Sequence, residues 1–346
     1  MRGTAGGSQN KWKGTVSMPQ RLYADRRFEK VILDPPDFEP GSWRGAGNCI
    51  EDDDSGTFWL VTRPRTQRMR GYAFEVYGSE NGEDFSLRHT TSREALSALL
   101  GQEVLSIEGQ QLLRDPMTNK YFLYLAVDIG RTWQTALLTS DDPCGPWRSE
   151  GIVIRRDQEY DSVEARDAVI SFIGGEYIAL YKASDGMKVN AALAASSDGK
   201  DWRKLGLLKI GGQPQPAPHF LAGNIMDTGR GPLIVGFESA DVVKGAAVSR
   251  RFVSYLIDLR SVNLVPVFSA IWEPLSQFER HDFPIHSYSD LVPDPDRNRL
   301  LFYVEAIDPK HSVEVGLNLE VDRVLLYSVG HPTSDASALV GGISRP

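Results

Sequence analysis

ARDAVISFIGGEYIALY, residues 165–181, carries the pattern on which the fold turns. A polar pair, Arg166–Asp167, opens an alternating apolar segment; Gly174–Gly175 supplies a turn, and the aromatic-rich segment Tyr177–Tyr181 returns. Period-two alternation interrupted by a glycine turn is the signature of a β-hairpin. The same pattern recurs as GNCIEDDDSGTFWLV (47–61), IEGQQLLRDPMTNKYFLYL (107–125), AGNIMDTGRGPLIVGF (222–237) and YSDLVPDPDRNRLLFYV (288–304). Its polar leaders are Asn48, Glu108, Asp167, Asn224 and Asp290, spaced by 60, 59, 57 and 66 residues. Self-similarity at such a period marks a repeat architecture.

After each of the first three hairpins a third apolar segment ends in a turn followed by an aromatic residue: SENGEDF (79–85), SDDPCGPW (140–147) and SSDGKDW (196–202). The distance from leader to closing aromatic, 37, 39 and 35 residues, accommodates four short strands per unit. The expected fold is therefore all-β, a five-bladed β-propeller with about four antiparallel strands per blade. Residues 21–346 are expected to form this single domain, and residues 1–20 a flexible N-terminal tail. The lone segment RRFEKVIL (26–33) is assigned to the outer edge of the last blade, where it removes an exposed sheet edge. One helix is expected, SREALSALLGQ (92–102), capped by Ser92 and stopped by Gly101.

Composition narrows the partners. An apolar fraction of 41% is too high for a disordered chain. The net charge of −8, with basic residues scattered singly, excludes an electrostatic footprint for nucleic acid or anionic lipid. Two cysteines, Cys49 and Cys144, without metal-type spacing argue against a disulfide framework or a zinc site. The first twenty residues hold no apolar leader stretch, so a soluble, cytoplasmic location is expected, or a secreted one if a leader has been trimmed.

In a propeller the first residues of each innermost strand open on one face, and the antiparallel second strand returns to it. The five leaders, together with Arg63, Asp128, Lys182, Glu238 and Glu305, are thus expected around one pocket. Glu108, Glu164, Asp167 and Asp290 form its acidic set. Acetal cleavage needs one protonated carboxyl for the leaving oxygen and one ionised carboxylate, and neighbouring acids drive their pKa values apart. Those four are the expected catalytic residues. Asn48, Glu51, Arg63, Arg166, Lys182, Asn224, Glu238, His286 and Glu305 are expected to bind substrate. His286 and His219 are further candidates; His286, four residues before Asp290, suits a water, substrate or a structural calcium ion in the channel, and no other cofactor is required. Trp43 and Trp133 are candidate platforms for sugar rings.

The spacing, IEG at 107–109, Arg166–Asp167 and SDDPCGPW resemble the five-bladed glycoside hydrolases of the arabinanase and β-xylosidase kind, with their invertase and mannoside-phosphorylase relatives. The resemblance covers residues 45–330. It implies a glycosidase acting on an oligosaccharide or glycoside, with Glu108 in place of the family's general acid and Arg166–Asp167 in place of its sugar-binding Arg-Asp-Pro. Asn48 stands where the family has an aspartate, so Glu51 or an acid of another blade would take that role. Phosphorolysis is the alternative, with Arg63, Lys182 and Arg166 as phosphate donors; a non-catalytic carbohydrate-binding propeller is the other.

Overall fold

The computed structural model describes residues 18–45, 47–130, 132–216, 220–228, 231–243, 246–312 and 319–330. Residues 1–17 of the expected tail and His219 lie outside these, while 18–20 open a helix, α1, spanning 18–24. Strand β1 (Arg27–Leu33) follows it. The described residues that follow fold mainly as hairpin repeats. The first is β2 (Asn48–Glu51), β3 (Phe58–Thr62), β4 (Ala73–Ser79) and β5 (Ser86–Ser92), paired in that order.

The second, β6 (Ser106–Arg114), β7 (Tyr121–Asp128), β8 (Trp133–Ser140) and β9 (Arg148–Ile154), and the third, β10 (Glu164–Ile173), β11 (Glu176–Ser184), β12 (Val189–Ser196) and β13 (Arg203–Leu207), are each antiparallel throughout. A short parallel bridge, Glu164 opposite Trp133, joins β10 to β8. A small hairpin, β14 (Lys209–Ile210) and β15 (Gln213–Pro214), precedes β16 (Phe220–Asp227), β17 (Pro232–Val243), β18 (Ala246–Asp258) and β19 (Asn263–Ile271). The last repeat is β20 (Ile285–Asp294), β21 (Arg299–Ile307) and β22 (Asp322–Gly330), and β1 completes it by pairing with β22. The N-terminal strand thus covers the edge expected of it.

Apolar faces decide how the repeats stack. The inner strands, such as β4, β7, β8 and β21, are buried on both faces, and hydrophobic layers form between consecutive repeats. Phe74 and Val76 pack with Leu123 and Leu125; Phe122 and Tyr124 with Tyr177 and Tyr181; Leu193 with Ile234 and Val253; Phe237 and Phe252 with Phe302 and Tyr327. In the fifth layer Leu301, Tyr303 and Leu326 of the last repeat meet Cys49, Phe58 and Leu60 of the first. The first strands of the repeats adjoin in the same sequence: β2 with β6, β6 with β10, β10 with β16, β16 with β20, and β20 with β2. Burial of about 25 cal/mol per Å² of apolar surface in each layer drives this stacking. Helix α2 (Arg93–Leu100) begins where Ser92 Oγ accepts from Ala95 N at 3.2 Å and ends at Gly101 in the left-handed region, φ +66°.

Candidate functional site

The leaders come together, but each does a different job. Asn48 and Asn224 are consumed by the strands themselves. Asn48 Oδ1 accepts from Leu112 N at 2.6 Å, and its Nδ2 donates to Asp290 Oδ2 at 2.9 Å. Asn224 donates to the other oxygen of Asp290 and accepts from Leu291 N at 2.7 Å. Asp290 also receives Cys49 N and Leu291 N. Burial pushes its pKa up to about 7, against the pull of these donors. With its oxygens so engaged, Asp290 knits β2, β16 and β20 together and is only 2% exposed. The amides of Asn48 and Asn224 and both oxygens of Asp290 are thus engaged with one another and with the strand backbones.

Ionic contacts gather the other acids around Arg166. Its Nη1 lies 2.7 Å from Glu108 Oε2 and 3.6 Å from Asp167 Oδ2, and its Nε donates to Glu164 Oε2 at 3.0 Å. Lys182 Nζ reaches Asp167 Oδ2 at 2.7 Å, and Tyr288 donates to the same oxygen at 3.2 Å. Arg70 Nη2 holds Glu108 Oε1 at 2.6 Å. Asp167 has φ +52°, in the left-handed region, at a register shift between Arg166 and Val169. Such a bulge re-aims a side chain at the end of a strand, and a non-glycine residue there is held by its surroundings. Two glycines allow the approach. A Cβ on Gly71 would lie 2.0 Å from Ile107 O, so only glycine lets the Arg70 loop dock on β6; a Cβ on Gly109 would lie 2.6 Å from Asp167 Oδ1.

The electrostatics follow from this caging. Burial would raise the pKa of Glu108, but Arg63, Arg166 and Arg70 outweigh it and hold the carboxyl below its ordinary value. Burial is likewise overcome at Asp167, where Lys182 and Arg166 hold the carboxyl far below the usual range. At Glu108 the interleaved cations therefore outweigh the crowding among acids. Arg63 is 3% exposed; burial opposes its charge, yet Glu108 and Glu305 keep its pKa above the ordinary value. A cavity of about 30 Å³, lined by Asn48, Gly109, Gln110, Asp167, Tyr288 and Asp290, lies beside the cluster.

Buried side-chain atoms without a hydrogen-bond partner concentrate here. They include Arg63 Nε and Nη1, Arg65 Nε, Gln110 Oε1, Asp167 Oδ1, Glu305 Oε1 and Asp322 Oδ1. Sequence reasoning missed Arg65, Arg70, Gln110, Tyr288 and Asp322. Tyr288 carried one signal, its position two residues before Asp290 on the same strand.

Other expected members sit elsewhere. Glu51 lies toward the far end of β2, about 10 Å along the strand from Asn48. There burial and the charges of Asp294, Asp296 and Asp53 raise its pKa to about 7. Glu238 accepts from Gln215 at 3.2 Å and Tyr255 at 3.1 Å. Trp43 and Trp133 are 3% and 8% exposed and pack under guanidinium groups, Arg65 over Trp43 at 4.0 Å and Arg166 over Trp133 at 5.2 Å. They are cation–π floors and not open sugar platforms. His286 donates toward Asp322, which outweighs burial and lifts the imidazole pKa to about 9.

No protein-family model and no curated protein matches the chain. Solved structures do. A glycosyl hydrolase from Bacteroides ovatus superposes with a TM-score of 0.57 at 12% identity, over 88% of this chain and 94% of that one. Zg3597, a family 117 glycoside hydrolase of Zobellia galactanivorans, gives 0.56 at 13% identity, over 89% and 91%. The β-1,2-mannobiose phosphorylase of Listeria innocua gives 0.52 at 14% identity, over 93% and 94%. The chain thus shares, along nearly its whole length, the fold of glycoside hydrolases and of a mannoside phosphorylase.

Proposed function

We propose that the five repeats close into a five-bladed propeller and that the chain is a glycoside hydrolase, acting on an oligosaccharide or glycoside at the Arg63–Glu108–Glu164–Arg166–Asp167–Lys182 cluster. The ring of layers, with the last repeat packed on the first, supports closure. The observation that carries the activity is the set of unpartnered buried atoms: Arg63 and Arg65 offer donors, while Gln110, Asp167 and Glu305 offer acceptors. Buried polar groups demand partners. An anion would satisfy the donors alone, whereas hydroxyls, which donate and accept, satisfy both kinds.

Asp167, kept ionised, is the carboxylate facing the sugar ring. Glu108, equally ionised, orders Arg63, Arg70 and Arg166. Glu164, whose side chain keeps 20% exposure and whose Oε2 alone is taken by Arg166, is the carboxyl of the cluster left to face the leaving oxygen. Hydrolysis requires this pairing of acid and carboxylate. A second reading, phosphorolysis, is favoured by Arg65 and Arg70, which enlarge the cation set beyond Arg63, Arg166 and Lys182.

A panel of aryl glycosides and oligosaccharides, assayed with and without phosphate, tests both readings. Turnover without phosphate supports hydrolysis, and strict phosphate dependence supports the second reading. Glu164→Gln is expected to slow substrates with poor leaving groups by about a hundredfold and spare activated ones; Asp167→Asn is expected to slow both. Binding of sugars without turnover, or no interaction with any glycoside, overturns the proposal.

A further inference from the structure

Four guanidinium groups surround Glu108, and they divide into two pairs. Arg70 and Arg166 lie over Trp133, 5.8 and 5.2 Å from its ring, and take the two oxygens of Glu108 at 2.6 and 2.7 Å. That carboxylate is then fully engaged. Arg63 and Arg65 lie over Trp43, at 5.8 and 4.0 Å, and Arg63 Nε and Nη1 and Arg65 Nε are buried without a hydrogen-bond partner among the described residues. The two differ in charge balance. Burial opposes the charge on Arg63, but Glu108, Tyr288, Glu305 and Asp167 outweigh it and raise the pKa. At Arg65 burial and the like charges of Arg70 and Arg63 prevail over Glu108 and Glu320, and the pKa falls to about 10. Arg65 is thus a cation whose neighbours do not compensate it. Its place is fixed all the same, because Trp43 and Arg65 exchange backbone hydrogen bonds at 3.1 and 2.8 Å, which holds the guanidinium on the indole.

We propose that Arg65, with Arg63 beside it on Trp43, receives an anionic group carried by the sugar, so that the substrate is an acidic glycoside bearing a carboxylate or a sulfate. The inference rests on the glycoside reading and narrows its substrate class. Hydroxyls can meet the orphaned donors and acceptors of the pocket, but they bring no charge. An oxyanion on the same sugar supplies what Arg65 lacks, and its hydrogen bonds to a guanidinium are of the strong, charge-assisted kind. Access suits this role. Arg65 is half-buried and is followed by the exposed residues 67–70, so a ligand group can reach it from solvent. Free phosphate has the same oxyanion chemistry, and the measurements below separate the two sources.

The full chain is titrated by calorimetry with the methyl glycosides of glucose, galactose and mannose, with those of their uronic acids and 6-sulfates, and separately with inorganic phosphate. An acidic sugar is expected to bind at least about tenfold more tightly than its neutral parent, and the preference to shrink as ionic strength rises toward about 1 M. Arg65→Gln is expected to cut that acidic-to-neutral ratio by at least about tenfold, with Arg65→Lys retaining part of it. A merely structural Arg65 would weaken both classes alike and leave the ratio unchanged, which overturns the proposal. Should Arg65→Gln fail to fold, the ratio in the unaltered chain and its salt dependence decide. Neutral sugars bound as tightly as acidic ones overturn the proposal and leave the glycoside reading standing. Phosphate bound without any preference for acidic sugars also overturns it, since the arginines then serve a free anion. Failure of every sugar to bind overturns it together with the reading on which it rests.

Discussion

Lys182→Met is the most informative single change, because it removes one charge from a buried pair and leaves the other. Asp167 has a side-chain exposure of 2% and Lys182 of 17%, so solvent screens this 2.7 Å pair little. Breaking a buried pair on one side costs about 3–5 kcal/mol. Arg166 at 3.6 Å and Tyr288 at 3.2 Å still face the same oxygen, which places the expected loss near the lower end, about 3 kcal/mol. For a chain of 346 residues, at about 1.4 °C per kcal/mol, this lowers the melting temperature by roughly 4 °C.

The loss depends on pH. Asp167 has a depressed folded pKa, so its stabilisation is present above the unfolded value of about 3.9 and fades as pH falls through the folded one. The variant forfeits part of it. The gap between variant and parent is therefore widest at neutral pH and narrows below about pH 4. Adding Asp167→Asn to Lys182→Met recovers part of the loss, since no buried charge then lacks its partner. The measurement is a double-mutant cycle by thermal and denaturant unfolding at pH 7 and at acid pH. A loss under about 1 kcal/mol at pH 7, or a double variant no better than the single, would refute the caging argument.

Further outcomes follow from the same geometry. Glu108→Gln is expected to slow glycosides with good and poor leaving groups alike, because Glu108 is held ionised; a Brønsted series on aryl glycosides checks this, and selective damage to poor leaving groups would restore Glu108 as the acid. Gly71→Ala meets both a φ of +44° and the Ile107 carbonyl, so it is expected to cost at least about 1–3 kcal/mol in urea unfolding; a neutral result contradicts the docking of the Arg70 loop. Asp290→Ala strips the shared acceptor from Asn48, Cys49 N, Asn224 and Leu291 N and is expected to destabilise by about 3 kcal/mol or more, measured by unfolding. Full stability in that variant, with lost turnover, would return Asp290 to the catalytic set.

Much of the architecture is local and therefore legible in the chain. Alternation and glycine turns specify hairpins from a few neighbouring residues, and the regular spacing of Asn48, Glu108, Asp167, Asn224 and Asp290 announces their repetition. The segment 26–33 is assignable because a lone strand must cover an edge, and β1 within it pairs with β22. The gathering of Glu108, Glu164, Arg166, Asp167 and Lys182 follows from the same strand polarity. Their roles do not. Asn48 and Asn224 have the residue type of sugar ligands, yet both spend their amides on Asp290, a partner more than sixty residues away. Arg70, in a loop with no motif, reaches Glu108 only because Gly71 docks against β6. A carboxyl's protonation depends on charges within a few ångströms, and those at Glu108 come from the first and third repeats, brought together only when the sheets stack.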